Sequence, residues 1–286
     1  MVGARSVPVV GLAAQGSAGG ERTTARATRT RAGRASGTVS WYCYAVAEFA
    51  ADNPVCGLAG LRGSPVSAVS GTGLTALASP VPDEEFSESA LQENLENLPW
   101  LEEIARAHNA VVAEASRRTC VLPLRMATIY RDEDRVREML AEHSAQFSAA
   151  LRRVRDHAEW GVKVFASLSP REEAPAESPA DGRSYLRQRL RQRQTRDART
   201  NEAVEVAERI ERELAQLSAD IHRHRVQDPA LTGRADRNIL NLACLVPDTG
   251  RDRFLSQLAE LRHSDVAGIE VEVTGPWAPY SFAGIS

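Results

Sequence analysis

The chain has 286 residues, 43% of them hydrophobic and 26% charged, with 35 basic residues against 38 acidic ones. This is the make-up of an ordinary soluble globular protein with room for two cores, and its near-neutral charge speaks against nucleic-acid binding by the whole molecule. No run approaches the ~20 apolar residues of a membrane span. The four scattered cysteines form no C-x-x-C pair and have no matching histidines, so they read as buried thiols in a reducing cytoplasm rather than a zinc site.

Residues 1–39 carry six arginines and one acid, Glu21, among Gly, Ala, Ser and Thr. Such a basic leader buries nothing and is expected to be disordered. It reads either as an arm for an anionic surface or as a dispensable leader from a misplaced start. A first strand is expected at Trp41-Tyr42-Cys43-Tyr44-Ala45-Val46. Two short strands follow, Val66 to Ser70 and Leu74 to Ser79, around Gly71-Thr72-Gly73. A dinucleotide turn there would have to open a long helix, but Pro80 and Pro82 stop the segment, so a hairpin is expected. After an acidic loop, Asp83 to Glu88, a capping box at Ser89 and Gln92 opens a helix, and Pro99 suits the first turn of the next. His108 falls on that helix's apolar stripe and reads as packed, not as a ligand.

Val121 to Tyr130 is expected to be a strand. Asp132 then caps a helix whose buried stripe runs Val136, Met139, Leu140, His143, Phe147, Leu151, Val154. Trp160, Val162 and Val164 alternate in the strand after it. Residues 168–182 form a Pro-rich linker, and residues 183–225 a highly charged helical insertion free of Gly and Pro. Within it Thr200, Ala203, Ala207, Ile210, Leu214, Leu217 and Ile221 step by three and four, the seam of a coiled coil. One long helix or a hairpin broken near Thr195 to Asn201 both fit. Asn238 to Val246 reads as a central strand, Thr249 to His263 as an amphipathic helix, and Ile269 to Thr274 as the last strand. The tail, residues 275–286, holds Pro276 and Pro279 and is expected to be extended and stiff.

The expected class is α+β with two domains. An N-terminal unit covers residues 40–118. A C-terminal unit, residues 119–286, is a split βαβ, ferredoxin-like arrangement counted from Val121, with the long helix inserted between its second and third strands, although the strand at residues 121–130 fits the first unit as well. No nucleophile motif, phosphate loop or metal pair stands out, so no enzyme activity, cofactor or metal is expected. Binding surface remains. The candidate partner-binding residues are Trp277, Tyr280 and Phe282 on the tail and Ala207, Ile210, Leu214, Leu217 and Ile221 on the seam. Each set either packs on its own chain or meets a partner.

Four of these stretches resemble the gas vesicle proteins of the GvpL/GvpF family, in that family's order. They are Tyr42-Cys43-Tyr44-Ala45-Val46, Val121-Leu122-Pro123-Leu124-Arg125, Glu159-Trp160-Gly161-Val162-Lys163-Val164 and the tail Gly275-Pro276-Trp277-Ala278-Pro279-Tyr280-Ser281-Phe282. The tail is the most specific. Met126-Ala127 stands where the family pattern has Phe-Gly, and Ala278 where it often has proline. The resemblance implies a non-enzymatic accessory protein of gas vesicle formation, in the cytoplasm and at the vesicle. It would act with the small hydrophobic shell protein and other accessory proteins, and not with nucleic acid or a membrane. The rival reading is a ligand-sensing regulatory protein on a ferredoxin-like domain, which would need a concave polar pocket.

Overall fold

The apolar stretch around Tyr42 alternates its faces as a strand does, and in the computed structural model it forms β1 (Val39–Glu48), the axis of a first antiparallel sheet. The structure describes residues 39–48, 57–167, 182–227, 236–263 and 268–284. The basic leader and the Pro-rich linker lie outside the described residues. On one side β1 pairs with β3 (Leu74–Pro82), which pairs in turn with β2 (Ser67–Gly71). Thr72 (φ 53) and Gly73 (φ 77) make the two-residue connection, so this is a hairpin, as expected. β3 continues through Pro80 and Pro82, where a stop was expected. β2 pairs with it only from Leu74 to Ala78, so the prolines can turn their missing N–H toward an open edge.

The other side of β1 is filled by β4 (Val121–Pro123) and β5 (Ile129–Tyr130). The single strand expected over Val121 to Tyr130 is therefore two short ones, both in the first sheet. Leu124 N donates to Tyr44 O and Cys43 N donates to Thr128 O, each at 2.9 Å, which ties the whole segment to β1.

A second sheet holds β6 (His157–Ala166), β7 (Asp220–Arg223), β8 (Arg237–Pro247) and β9 (Ile269–Trp277), in the order β7-β8-β6-β9 with every neighbour antiparallel. Of the two placements open to the strand at Val121 this leaves the first unit, and it corrects the count that opened the C-terminal arrangement there. Its hydrogen bonds go to β1, and the second sheet starts at β6.

Seven α-helices are seen among the described residues. The acidic stretch expected as a loop contains α1 (Asp83–Phe86), and α2 (Glu88–Asn94) starts after Ser87 with no side-chain cap, in place of the Ser89–Gln92 box. α3 (Leu98–Ser116) has Pro99 in its first turn, and the Asn97 side chain accepts from Trp100 N at 3.3 Å. α4 (Glu133–Glu142) is capped by Asp132, which accepts from Arg135 N at 2.9 Å. His143 (φ −106, ψ 13) then breaks the expected single helix, and α5 (Ser144–Val154) carries the same buried stripe onward. α6 (Gly182–Ala215) is one helix of 34 residues, ~51 Å long, not a hairpin. α7 (Arg251–His263) precedes β9.

Three apolar clusters explain the layers. Tyr42, Tyr44, Ala45 and Ala47 of β1 pack with Ile104, Val111, Val112 and Ala115 of α3. Cys43 and Val46 point the other way, to Val136, Leu140, Phe147 and Leu151 of α4 and α5, and a bulge after Cys43 shifts the alternation. The same second cluster takes Ala243 and Leu245 of β8. The opposite face of β8, Leu240, Leu242 and Cys244, joins Trp160, Val162 and Val164 of β6 under α6 and α7. β8 is thus apolar on both faces, as a central strand should be. The layers run α3, first sheet, α4 and α5, second sheet, α6 and α7.

Candidate partner-binding surface at the C-terminal strap

Two of the sequence stretches singled out above are halves of one joint. Gly161 of β6 lies opposite Thr274 of β9, and Glu159 opposite Trp277, so Gly275 and Pro276 bulge across from Trp160. Gly161 allows this approach, because a Cβ there would sit 2.6 Å from Thr274 Oγ1. Gly275 is at φ +124, and a Cβ on it would meet Glu159 O at 2.9 Å and the Trp160 ring at 3.1 Å. Trp160 itself is buried against Phe254, and its Nε1 finds no hydrogen-bond partner among the described residues.

Beyond β9 the chain makes a short turn, Tyr280–Phe282, and is fastened at each residue. Ser281 N donates to Glu159 Oε2 at 2.8 Å, and Ser281 Oγ donates to Glu159 Oε1 at 2.7 Å. Tyr280 Oη donates to Asn109 Oδ1 of α3 at 2.8 Å. The Arg153 guanidinium of α5 donates to the Phe282 carbonyl. Ala278 is buried in the cluster under α3, and Phe282 in the cluster of α4 and α5. The tail is therefore a strap that runs from the second sheet into both cores of the first.

Glu159 is buried, and burial pushes its carboxyl above the ordinary carboxylate range, while the two Ser281 donors and nearby His222 pull it back. His224 Nε2 lies 3.1 Å from Ser281 Oγ. A serine between a histidine and a glutamate invites comparison with a hydrolase set. Here the serine hydroxyl donates to the carboxylate, so His224 is the donor to Ser281 and not its base. The arrangement is a latch on the strap.

Trp277 and Tyr280 stand outside the joint, 54% and 39% exposed. Trp277 borders a cleft of ≈460 Å³ between the strap, the end of α3 and the start of β6, where Arg117, Thr119, Asp156 and Arg251 also line it. The other candidates face inward. Phe282 is buried. Ala207, Ile210 and Leu214 pack on the second sheet. Leu217 is half-buried in the turn after α6, and Ile221 is half-buried on β7 rather than on the helix, because Ala219 N already pairs with Leu245 O at 2.8 Å. The seam thus ends at Leu214 and is occupied by its own sheet.

Sequence reasoning missed Glu159 and Ser281 as partners. A lone carboxylate inside the apolar run Glu159 to Phe165 was the available signal, but nothing marked its mate 122 residues away. Among the described residues no helix is long and apolar enough to cross a membrane, and no cluster of metal-ligating side chains occurs.

Fold and site define a mixed α/β protein of two antiparallel sheets whose most elaborate feature is a pinned aromatic strap. The chain belongs to the family of the gas vesicle synthesis proteins GvpL/GvpF, whose sequence profile matches residues 40–284. It is 41% identical over 235 residues to gas vesicle protein L of Streptomyces sp. (strain CB03234), covering 80% of this chain and 87% of that one. Its fold is that of the crystal structure of GvpF from Anabaena sp. PCC7120, with a TM-score of 0.64 at 21% identity over 87% of this chain and 97% of the other. The crystal structure of GvpF from Microcystis aeruginosa gives 0.60 at 17% identity, over 87% and 100%. The resemblance carried by the four motifs is thereby confirmed, and with it a role in gas vesicle formation.

Proposed function

We propose that this chain is a non-enzymatic accessory protein that binds the small hydrophobic shell protein during gas vesicle assembly, with other accessory gas vesicle proteins as further partners. It would work in the cytoplasm, delivering shell subunits to the growing vesicle or staying as a minor component of it. The observation that carries this reading is Trp277: a large aromatic, 54% exposed, on a backbone fastened on both sides. A rigid anchor loses little entropy on docking, and tryptophan is a favoured hot-spot residue. Shell subunits must cover apolar faces before they assemble, and a rigid aromatic beside a cleft offers such a cover.

The strand order β9-β6-β8-β7, with α6 joining β6 to β7 and α7 joining β8 to β9, supports a split βαβ, ferredoxin-like second layer. In that reading the long helix is the first crossover, not an insertion. The ≈460 Å³ cleft favours a second reading, a ligand-sensing regulator, because it has the size of a small-molecule site and arginines at its rim.

The test is capture of purified shell protein by immobilised full-length chain, beside a thermal-shift screen of small anions. Retention of the shell protein supports the assembly reading. No retention, together with a saturable shift from an anion, would put the regulator ahead.

A further inference from the structure

The cleft beside Trp277 is walled by the strap, the carbonyl end of α3 and the turn that leads from α5 into β6. Its floor is apolar, with Val121, Val154 and Ala278 all buried. Three arginines stand at its rim, and each is already engaged. Glu114 holds both Arg117 and Arg118, and Asp248 holds Arg251 at 3.3 Å. Asp156 differs. It is exposed at the border of the cleft, and among the described residues no hydrogen bond or ion pair reaches its carboxylate.

Asp156 and Trp277 are both held in place before any ligand arrives. Asp156 sits at φ 58, and its backbone carbonyl accepts from Asp248 N at 2.9 Å. Trp277 stands on the strap, opposite Glu159 in the ladder. Asp156 is three residues before Glu159, so roughly 10 Å of strand separates its backbone from that of Trp277. An anion entering the cleft would meet arginines that carboxylates have already taken. A cation meets an unpaired carboxylate, the flat face of an exposed tryptophan and the negative end of a helix dipole.

We propose that the cleft takes an arginine side chain of a partner protein, one flanked by apolar residues. The guanidinium stacks on the Trp277 ring and pairs with Asp156, while its neighbours cover Val121, Val154 and Ala278. Arginine fits better than lysine, because its planar fork can stack and bond at once, whereas an ammonium is a strongly hydrated point charge. This recognition shares Trp277 with the shell-protein contact but does not depend on the partner being the shell protein.

Fluorine NMR of the full chain labelled with fluorotryptophan tests this. Its four tryptophans are Trp41, Trp100, Trp160 and Trp277, and Trp277→Phe assigns the line of the last. The probe is the blocked tripeptide Leu-Arg-Leu, beside two others with citrulline or glutamate in place of arginine. The expected result is a saturable shift of the Trp277 line by the arginine peptide in the millimolar range, with the Trp41 and Trp100 lines unmoved. Citrulline keeps the shape without the charge and should bind about fivefold or more weakly. Asp156→Asn should weaken the arginine peptide by a similar factor. Asparagine tolerates the left-handed backbone at this position, so the variant keeps its fold, which an unchanged Tm checks. Equal binding of the arginine and citrulline peptides would overturn the proposal. So would an unmoved Trp277 line, or an Asp156→Asn chain that binds as tightly as wild type. Tighter binding of the glutamate peptide would also overturn it and make the rim arginines the recognising groups. The readout uses no shell protein, so its failure leaves the shell-protein contact standing, and the reverse.

Discussion

Gly275→Ala is the sharpest probe of the joint between β6 and β9. The backbone there is at φ +124, where an L side chain is strained by roughly 1–3 kcal/mol. The new methyl would meet the Glu159 carbonyl oxygen at 2.9 Å and the Trp160 ring at 3.1 Å. Neither can step aside. The carbonyl belongs to a central strand, and the ring is packed in the core. Crowding of this kind adds about 1–3 kcal/mol. The sum, roughly 2–6 kcal/mol, corresponds to a fall of about 5–15 °C in Tm for a folded body of this size. Gly250→Ala is the control, because its Cβ would meet only Pro247 Cδ at 3.9 Å, an ordinary contact. Differential scanning calorimetry on both variants gives the answer. Equal Tm values for Gly275→Ala and wild type would refute the account of the joint.

Ala127 sits at φ 62, in the left-handed region that favours glycine, so Ala127→Gly should stabilise by about 0.5–1 kcal/mol in denaturant titration. Phe282→Ala removes a side chain 2% exposed from the cluster of α4 and α5 and should cost about 3–5 kcal/mol in the same assay. Burial disfavours the His108 imidazolium and lowers its pKa from 6.5 to about 4. The unfolded chain therefore takes the proton first. His108's share of stability is intact above pH 6.5 and is lost as pH falls toward 4, by ~3 kcal/mol in full. His108→Gln should flatten that part of the stability–pH curve, and an unchanged slope would assign it to other groups.

Local signals made most elements legible. The alternation of Trp160, Val162 and Val164, the apolar faces of β8, the hairpin at Gly71, Pro99 in the first turn of α3 and the cap at Asp132 all depend on neighbours within a few residues. Some local readings failed, as at the Ser89–Gln92 box and the break at His143, and the larger failures were features set by distant pairing. Val121 and its neighbours look like a strand of either sheet until the hydrogen bonds of β1 claim them. Pro80 and Pro82 look like stops until the length of β2 leaves their edge open. Ile221 keeps the period of the helix before it, yet the backbone of β8 takes it into a strand. The strap was the most legible site as a sequence and the least legible as a structure. Its aromatics were evident, but their division of labour was not. Phe282 goes inward and Trp277 outward because Ser281, between them, is held by Glu159.

The central claim is that the strap presents Trp277 to the shell protein. Its most direct test is the affinity of Trp277→Ala for that protein, measured beside its Tm. An exposed side chain outside the core should leave stability within about 1 kcal/mol of wild type. Loss of a rigid aromatic anchor should weaken binding by about tenfold or more. A folded Trp277→Ala chain that binds the shell protein as tightly as wild type would contradict the claim.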